Sequence, residues 1–350
     1  MGSTGNTLVV RVPAGQPPQL VQEQYPLPSP NAGQVQVKVS HVAQNPTDVQ
    51  CFEVNAFEDG AVLGCDFVGE VTELGSGVTR LANGDVVAGL IWGGRRGQVP
   101  GLGGYSEYTV ADQQISFKLP LGISKAQAST VPLAAATAWL ALFSKGCLNL
   151  DRSSVTDTIV LVWDGSSSVG LYTIHLASIC GFDVITTCSP RNADLVQSCG
   201  AKHVFDYNDP KVIEHITQAA PNLQHIFDTI GNTTSSSIAS RALGDRKGNL
   251  CTVRPGKANT ELVTPNTHVT DILVWTAFLK DHRYAQFHWP ASLEDHELSR
   301  ELFENLPTWF EQGLVKPNKP RVLQGLQAVT NGLQEYRDGI VSAYKIVYKL

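Results

Sequence analysis

Charge is scarce in this 350-residue sequence: charged residues make up 17% of it, and acidic residues outnumber basic ones by 32 to 26. A net charge of −6 gives no basic footprint, so neither a nucleic acid nor an anionic membrane is expected as a partner. The chain shows no apolar run of about 18 or more residues and no basic segment followed by an apolar one at its start. We therefore expect a cytoplasmic protein.

Paired cysteines are also lacking, because the seven cysteines are scattered and no two of them form a C-x-x-C pair. An odd number without paired spacing argues against a disulfide framework and against a structural zinc site. Most of these cysteines are expected to be small buried side chains. The sequence thus predicts no metal centre.

The hydrophobic pattern changes near residue 120. Before it, short alternating runs such as GQVQVKVS and GDVVAGL predict a mostly antiparallel β domain, 1–120. After it, apolar strand-like runs alternate with helix-like segments, which predicts a doubly wound parallel sheet over 121–309. The closing run AYKIVYKL would return the chain to the first domain, so that about 310–350 complete it. The strand-like runs after residue 120 lie at 158–163, 182–188, 202–207, 225–230 and 248–253.

The first of these runs ends in the turn WDGSSSVG. A dinucleotide-binding turn lets backbone N–H groups reach a diphosphate at the N-terminus of a helix, which favours glycine. Gly165 and Gly170 meet this need, but serines fill the positions between them, so the G-x-G-x-x-G pattern is not met. The strand before and the helix after the turn favour nucleotide binding. An ordinary α/β turn with an N-capping serine is the alternative.

The second run ends in CSPRN, at the place where an NAD-binding unit carries Asp or Glu to bind the ribose hydroxyl. A carboxylate would repel a 2′-phosphate, whereas Ser189 and Arg191 can hold one. The segment therefore favours NADPH over NADH. The alternative is that Arg191 is simply a solvated residue in the first turn of a helix.

Several motifs together resemble the medium-chain dehydrogenase/reductase superfamily: NPTDVQ (45–50), GCDFVGEVTELGSGV (64–78), VPLAAATAWLAL (131–142), CSPRN and the closing KIVYKL. Within it, the chain most resembles the zinc-free, stand-alone trans-acting enoyl reductases that serve fungal polyketide synthases. The resemblance covers nearly the whole chain. It implies a GroES-like domain built from both chain ends, a Rossmann domain between them and an active site where the two meet.

The resemblance also implies how NADPH would be bound. NPTDVQ would lie beside the nicotinamide, the serine turn would hold the pyrophosphate, CSPRN would hold the 2′-phosphate and Tyr207 would pack near the adenine. The implied cofactor contacts are Thr47, Asp48, Val49, Gln50, Ser166, Ser167, Ser168, Val169, Ser189, Pro190, Arg191, Asn192, Tyr207, Val253, Arg254, Ile340 and Val341.

Two apolar stretches would line the path of an acyl chain, and core packing is the alternative interpretation of both. Thr137 is the first candidate to touch the cofactor or the reacting part of the substrate, and Gln50 is the second catalytic candidate. The implied substrate contacts are Thr137, Ala138, Trp139, Leu140, Ala141, Leu142, Phe143, Ser144, Trp275, Thr276, Ala277, Phe278 and Leu279.

Two departures from the relatives matter for the chemistry. Asn45, Pro46 and a lone Cys65 stand where zinc-dependent relatives carry ligands, and catalytic zinc needs about three of them, so a metal-activated alcohol dehydrogenase is disfavoured. Gln50 stands where related reductases often have lysine, and glutamine cannot act as a general acid near neutral pH. Water is then the expected proton source.

The expected reaction is hydride transfer from NADPH to the β-carbon of an α,β-unsaturated thioester, followed by protonation of the α-carbon. The substrate would arrive on an acyl carrier protein of a polyketide synthase or hybrid megasynthase. Arg95, Arg96, Lys280 and Arg283 are candidates to contact that acidic domain, although surface solvation is the favoured interpretation of each. A quinone or alkenal reductase acting on free small molecules, and a non-redox polyketide-binding cyclase, stay open as alternatives, as does the choice between monomer and dimer.

Overall fold

The computed structural model of the chain describes residues 3–92, 94–95, 103–155, 157–284 and 287–350, with the backbone alone at 94, 95, 284 and 287. Of the basic residues expected to contact a carrier protein, Arg96 lies outside the described residues, and the side chain of Arg95 does too.

The strands are β1 (Thr4–Arg11), β2 (Gln19–Pro26), β3 (Gln34–Ala43), β4 (Ala61–Val62), β5 (Asp66–Leu74), β6 (Val86–Leu90), β7 (Gly94–Arg95), β8 (Tyr108–Asp112), β9 (Ser116–Lys118), β10 (Ile159–Trp163), β11 (Asp183–Cys188), β12 (His203–Asp206), β13 (His225–Asp228), β14 (Gly248–Thr252), β15 (Thr267–Asp271), β16 (His282–Tyr284), β17 (Phe287–Trp289), β18 (Pro320–Gln324) and β19 (Lys345–Lys349). The α-helices are α1 (Pro46–Glu53), α2 (Lys125–Ala128), α3 (Pro132–Phe143), α4 (Ser168–Ile179), α5 (Ala193–Ser198), α6 (Val212–Ala219), α7 (Ser235–Ser240), α8 (Leu293–Glu311) and α9 (Val329–Arg337), and single 3-10 turns lie at Pro190–Asn192, Arg241–Leu243, Pro255–Lys257, Val274–Ala277 and Leu326–Ala328.

A six-stranded parallel sheet in the order β12-β11-β10-β13-β14-β15 forms the middle of the chain. This order, with strands added outward on both sides of the first one, is the doubly wound arrangement, and it confirms the predicted Rossmann fold. The five predicted strands are all present. The edge strand β15 was not predicted, because its sequence THVTD contains no apolar run and leaves most of its residues partly exposed.

A second, mostly antiparallel sheet in the order β18-β19-β3-β5-β6-β9, with β8 paired to β3, carries residues from both chain ends. The C-terminal strand enters it where β19 pairs with β3, Val347 opposite Ala43. These two sheet types confirm the predicted fold class. Because β9 ends at Lys118, we propose that the boundary between the two domains lies near residue 120.

Helix α3 lies in the core between these parts, and all of its residues are buried. It packs against α4 and α8, so it has no solvent-facing side, as its apolar sequence PLAAATAWLALF indicates. Among the described residues, the stretch Lys125–Phe143 is long and apolar enough to cross a membrane, but 89% of it is buried inside the protein. The stretch is therefore accounted for as core.

A buried carboxylate, Asp66 at the start of β5, ties four segments together. Its Oδ2 lies 2.6 Å from Nζ of Lys345 on β19 and 2.9 Å from Nδ2 of Asn45 before α1. Its Oδ1 accepts a hydrogen bond of 2.6 Å from the backbone N–H of Leu133, in the first turn of α3. Both members of the ion pair are buried, with 0% of the Asp66 side chain and 4% of the Lys345 side chain exposed.

Replacing Lys345 with Met should lower the free energy of unfolding by about 3–5 kcal/mol, because the carboxylate of Asp66 would stay buried without its counter-ion. Urea unfolding measures this loss. The matched control is Lys145→Met, which breaks an ion pair with Glu294 on the surface and should cost at most about 1 kcal/mol. Equal losses in the two variants would contradict the role assigned to Asp66.

Candidate active site

A cavity of about 600 Å³ lies where the carboxyl ends of the parallel strands face α1, α3 and the C-terminal segment. Asp164, Thr229 and Val253 follow β10, β13 and β14 directly and form one wall. The order of the sheet reverses between β10 and β13, and such a switch point is where open α/β sheets bind ligands. The predicted site residues that line the cavity are Thr47, Gln50, Thr137, Ser166, Ser167, Ser168, Val169, Val253, Arg254, Trp275 and Val341.

The serine turn connects β10 to α4 with very little space around its glycines. A Cβ atom on Gly165 would lie 2.1 Å from Oγ1 of Thr186, and one on Gly170 would lie 2.4 Å from the carbonyl oxygen of Asp164. Both distances are far below van der Waals contact, so these positions require glycine. The turn therefore has the close strand–helix packing of a dinucleotide-binding turn, although serines occupy its centre.

The N-terminus of α4 points its first turn at this cavity. Ser167 is the N-cap residue, and its Oγ accepts a hydrogen bond of 3.0 Å from the N–H of Gly170. Ser166 and Ser168 line the cavity beside it. Free N–H groups and the positive end of the helix dipole favour an anion here, so the residues present fit a diphosphate.

Asp164 is a residue of this turn that the sequence analysis missed. It lines the cavity, and burial raises the pKa of its carboxyl group above the ordinary value. Its backbone φ is +62°, in the left-handed region that favours glycine. The sequence feature that could have identified Asp164 is a charged residue placed directly after a predicted strand and before Gly165.

Helix α1 presents Thr47 and Gln50 to the cavity, while Asp48 lies behind them and is fully buried. The Asp48 carboxylate accepts hydrogen bonds from the N–H of Asn45 at 2.7 Å and from the N–H of Gly64 at 3.1 Å. Burial, opposed by these bonds, raises the pKa of Asp48 to about 6. The geometry gives Asp48 a positioning role, because it holds the start of α1 against the loop before β5.

Thr137 lies on the cavity wall in α3, and its Oγ1 donates a hydrogen bond of 2.8 Å to the carbonyl oxygen of Leu133. Trp275, in the 3-10 turn after β15, also lines the cavity and packs edge-on against Trp92 with ring centroids 4.0 Å apart. The rest of the two predicted acyl-binding stretches does not line the cavity. Those residues are Ala138, Trp139, Leu140, Ala141, Leu142, Phe143 and Ser144 on or just after α3, and Thr276, Ala277, Phe278 and Leu279 after Trp275.

The CSPRN segment lies at the rim of the cavity, beside the C-terminal segment. Nη2 of Arg191 donates a hydrogen bond of 3.1 Å to Oγ of Ser342, which itself lines the cavity. Oγ of Ser189 lies 3.2 Å from the hydroxyl of Tyr207, at the end of the neighbouring strand. The predicted cofactor contacts outside the cavity lining are Asp48, Val49, Ser189, Pro190, Arg191, Asn192, Tyr207 and Ile340.

The C-terminal segment supplies a large part of the cavity wall, which sequence reasoning did not foresee beyond Val341. Asn318 also lines it, and its Nδ2 donates a hydrogen bond to Oγ of Ser168 in the serine turn. In the sequence, Asn318 is marked only as a polar residue between two prolines. Further lining residues that were missed are Gln44, Leu133, Ala134, Leu171, Thr229, Ile230, Pro255, Ile272, Leu273, Val274, Tyr336, Gly339, Ser342, Ala343, Tyr344, Lys345 and Ile346.

Cys65 stands where zinc-dependent relatives carry a ligand, and its thiol donates to Oδ1 of Asp48 over 3.4 Å. Burial raises the pKa of Cys65 well above its ordinary value, which keeps the sulfur protonated. Within the described part of the chain, no three His, Cys, Asp or Glu side chains form a group that could hold a metal ion. The zinc-free interpretation stays a prediction.

Two family models match the chain. Residues 31–121 match the alcohol dehydrogenase GroES-like domain, and residues 168–289 match the zinc-binding dehydrogenase family. A zinc-type alcohol dehydrogenase-like protein of Schizosaccharomyces pombe is 30% identical over 93% of this chain and 94% of its own length. A trans-enoyl reductase of Alternaria alternata is 32% identical over 94% of this chain and 95% of its own length.

Among solved structures, an alcohol dehydrogenase superfamily protein from Novosphingobium aromaticivorans superposes with a TM-score of 0.77. The alignment covers 99% of this chain and 100% of that one at 20% identity, so it bears on the fold alone. The two matched domains and the relatives aligned over nearly their whole length agree with the observed architecture. The chain therefore belongs to the medium-chain dehydrogenase/reductase superfamily and is an NAD(P)-dependent oxidoreductase.

Proposed function

We propose that this chain is an NADPH-dependent trans-acting enoyl reductase, which reduces the α,β-double bond of a polyketide thioester delivered by an acyl carrier protein. The observation that carries the proposal is one cavity lined both by the serine turn and by Thr137 and Trp275. The trans-enoyl reductase relative from Alternaria alternata supports the reaction class. All seven cysteines are free thiols, which fits a reducing compartment such as the cytoplasm.

The cofactor would lie along the wall formed by the carboxyl ends of the parallel strands. Ser166, Ser167 and Ser168 would bind the diphosphate through the N-terminus of α4. Ser189 and Arg191 would hold the 2′-phosphate at the rim, where the Arg191 side chain already reaches the cavity lining through Ser342. Thr47 and Gln50 would flank the nicotinamide end from α1.

When bound, the reduced nicotinamide supplies a hydride to the β-carbon of the enoyl thioester. Charge then develops on the thioester oxygen, which needs a hydrogen-bond donor. The hydroxyl hydrogen of Thr137 can turn from the carbonyl of Leu133 towards that oxygen, since a hydroxyl rotates about its C–O bond. The Gln50 amide is the second donor on the wall. Neither group is an acid near neutral pH, so water delivers the proton to the α-carbon.

A carrier-bound substrate needs a docking surface for an acidic domain. Lys280 and Arg283 lie in the segment that follows Trp275 on the cavity wall, and Arg283 is exposed. Opposite charges at the rim of an interface mainly raise the rate of association. We propose these two residues as contacts for the carrier protein.

The proposed function is tested by following NADPH consumption with three substrates: a crotonyl-type pantetheine thioester, a quinone and a free enal. We expect turnover of the thioester, with a higher kcat/KM than for either free molecule. Turnover of the quinone without the thioester would favour a reductase of free small molecules. Tight NADPH binding without any turnover would favour a non-redox polyketide-binding protein.

Replacing Arg191 with Ala should weaken NADPH binding while NADH binding barely changes. A hydrogen bond to a charged group contributes about 1.5–3 kcal/mol, and solvent screening at this exposed position places the effect near the lower limit, about tenfold in Kd. Fluorescence titration of both cofactors against both proteins measures it. Ser189→Ala should act in the same direction but more weakly, because a neutral group is lost. An unchanged ratio of the two affinities would place the 2′-phosphate elsewhere.

Replacing Thr137 with Val should lower kcat for the thioester by about tenfold to a hundredfold with little change in KM, because only the stabilisation of the developing charge is lost. Thr137→Ser should restore most of the rate. The matched control is Thr173→Val in α4, whose hydroxyl makes the same bond, 2.9 Å to the carbonyl of Val169, away from the cavity. A loss of similar size in the control would mean that the effect is structural.

A further inference from the structure

Asp164 stands at the first position of the serine turn, directly after β10. Its φ of +62° is a conformation that glycine adopts freely and that most other residues adopt only at a cost. Its backbone N–H donates to Oγ1 of Thr187 over 3.0 Å, which fixes the residue against β11. A carboxylate is thus held on the cavity wall at a position where the backbone favours glycine.

The Asp164 carboxylate already binds a hydroxyl group that a bound anion could use. Its Oδ1 accepts a hydrogen bond of 3.0 Å from Oγ of Ser166. This hydroxyl and the nearby backbone N–H groups oppose the increase in the pKa of Asp164 that burial causes, while the N–H of Ser167 itself donates to the backbone carbonyl oxygen of Asp164 over 3.2 Å. Ser166 directly precedes Ser167, the N-cap residue of α4, in the part of the turn proposed to bind the diphosphate.

The charges around Asp164 do not neutralise it. Asp228, which ends β13, is fully buried and repels it, and Cys188, which ends β11, is a neutral thiol because burial raises its pKa to about 11. Among the described ion pairs none includes Asp164, and Lys345 is already paired with Asp66. The other titratable or charged groups on the cavity wall are Arg254, Tyr336, Tyr344 and Lys345.

We propose that Asp164 sets the cofactor affinity of this chain: its ionised carboxylate competes with the diphosphate for the hydroxyl of Ser166 and repels it at the N-terminus of α4, so that the dinucleotide binds well only after Asp164 takes up a proton from solvent or is displaced. This inference rests on the proposed function, since it concerns the same dinucleotide site. Under this proposal, the ionised side chain of Asp164 weakens the binding of the cofactor.

The competition has a defined pH dependence. Burial raises the pKa of Asp164, so the carboxyl group gains its charge at a higher pH than an exposed aspartate. At low pH the protonated group no longer repels phosphate oxygens, and it can donate a hydrogen bond to one of them. Binding therefore weakens as the pH rises through this pKa.

The test compares NADPH binding by the whole chain and by two variants, Asp164→Asn and Asp164→Gly, using fluorescence titration. Asparagine and glycine both tolerate a positive φ, so both variants should fold. At pH 8 we expect each variant to bind NADPH at least tenfold more tightly than the natural chain. The matched control is Asp183→Asn, which removes the same charge at the opposite end of the neighbouring strand β11 and should leave Kd unchanged.

A pH series isolates the effect of the Asp164 charge on NADPH binding. The other groups that titrate, including the 2′-phosphate, are present in the measurements on both the natural chain and Asp164→Asn, so their effect cancels in the ratio of Kd values. The ratio of Kd values, natural chain over Asp164→Asn, should approach one at low pH and increase with pH. A ratio within twofold of one at pH 8, with NADPH bound by the natural chain, would overturn this inference alone. No NADPH binding by the natural chain or by either variant would overturn the inference and the proposed function together.

Discussion

The buried carboxylate of Asp66 is the interaction on which the site depends. It receives hydrogen bonds or charge from the side chain of Asn45, the N-terminus of α3 and Lys345 of β19. These donors come from segments far apart in the sequence, and each one leads directly into the cavity wall: α1 carries Thr47 and Gln50, and α3 carries Thr137. Because a carboxylate without exposure to water must keep all its partners, the relative positions of these segments are fixed by one group.

The cavity is a product of this arrangement. The parallel sheet contributes a wall of strand ends and short polar residues, and the antiparallel part contributes α1 and the strand that closes the chain. Helix α3 lies between them and turns a small part of its surface, around Ala134 and Thr137, to the cavity, while the remainder packs in the core. An apolar helix can thus serve both purposes, because one face of a few small side chains is enough to line a binding site.

The serine turn keeps the close strand–helix packing of a dinucleotide-binding turn but carries a carboxylate and three serines. Gly165 and Gly170 preserve the close approach of strand and helix, because neighbouring atoms leave no space for a Cβ at either position. Asp164 and the serines give the cavity wall at this turn a carboxylate and hydroxyl groups. Packing therefore constrains the two glycine positions strictly, while the neighbouring positions carry polar side chains that line the cavity.

The sequence by itself determined the fold class, because the change from short alternating runs to buried apolar runs follows directly from strand exposure, and five of the strands in the parallel sheet carried that signal. It also identified the serine turn and CSPRN as candidates for phosphate binding and Thr137 as a candidate for contact with the reacting groups. The edge strand β15 was missed because most of its residues are partly exposed and its sequence contains no apolar run. Only the tertiary structure decided that Asp48 lies behind the wall, that most of the Ala138–Ser144 stretch is core, and that Asp66, Asn318 and Lys345 belong near the site. These assignments depend on tertiary contacts such as Gly64 with Asp48, Ser168 with Asn318 and Asp66 with Lys345, and no local pattern in a sequence records such contacts.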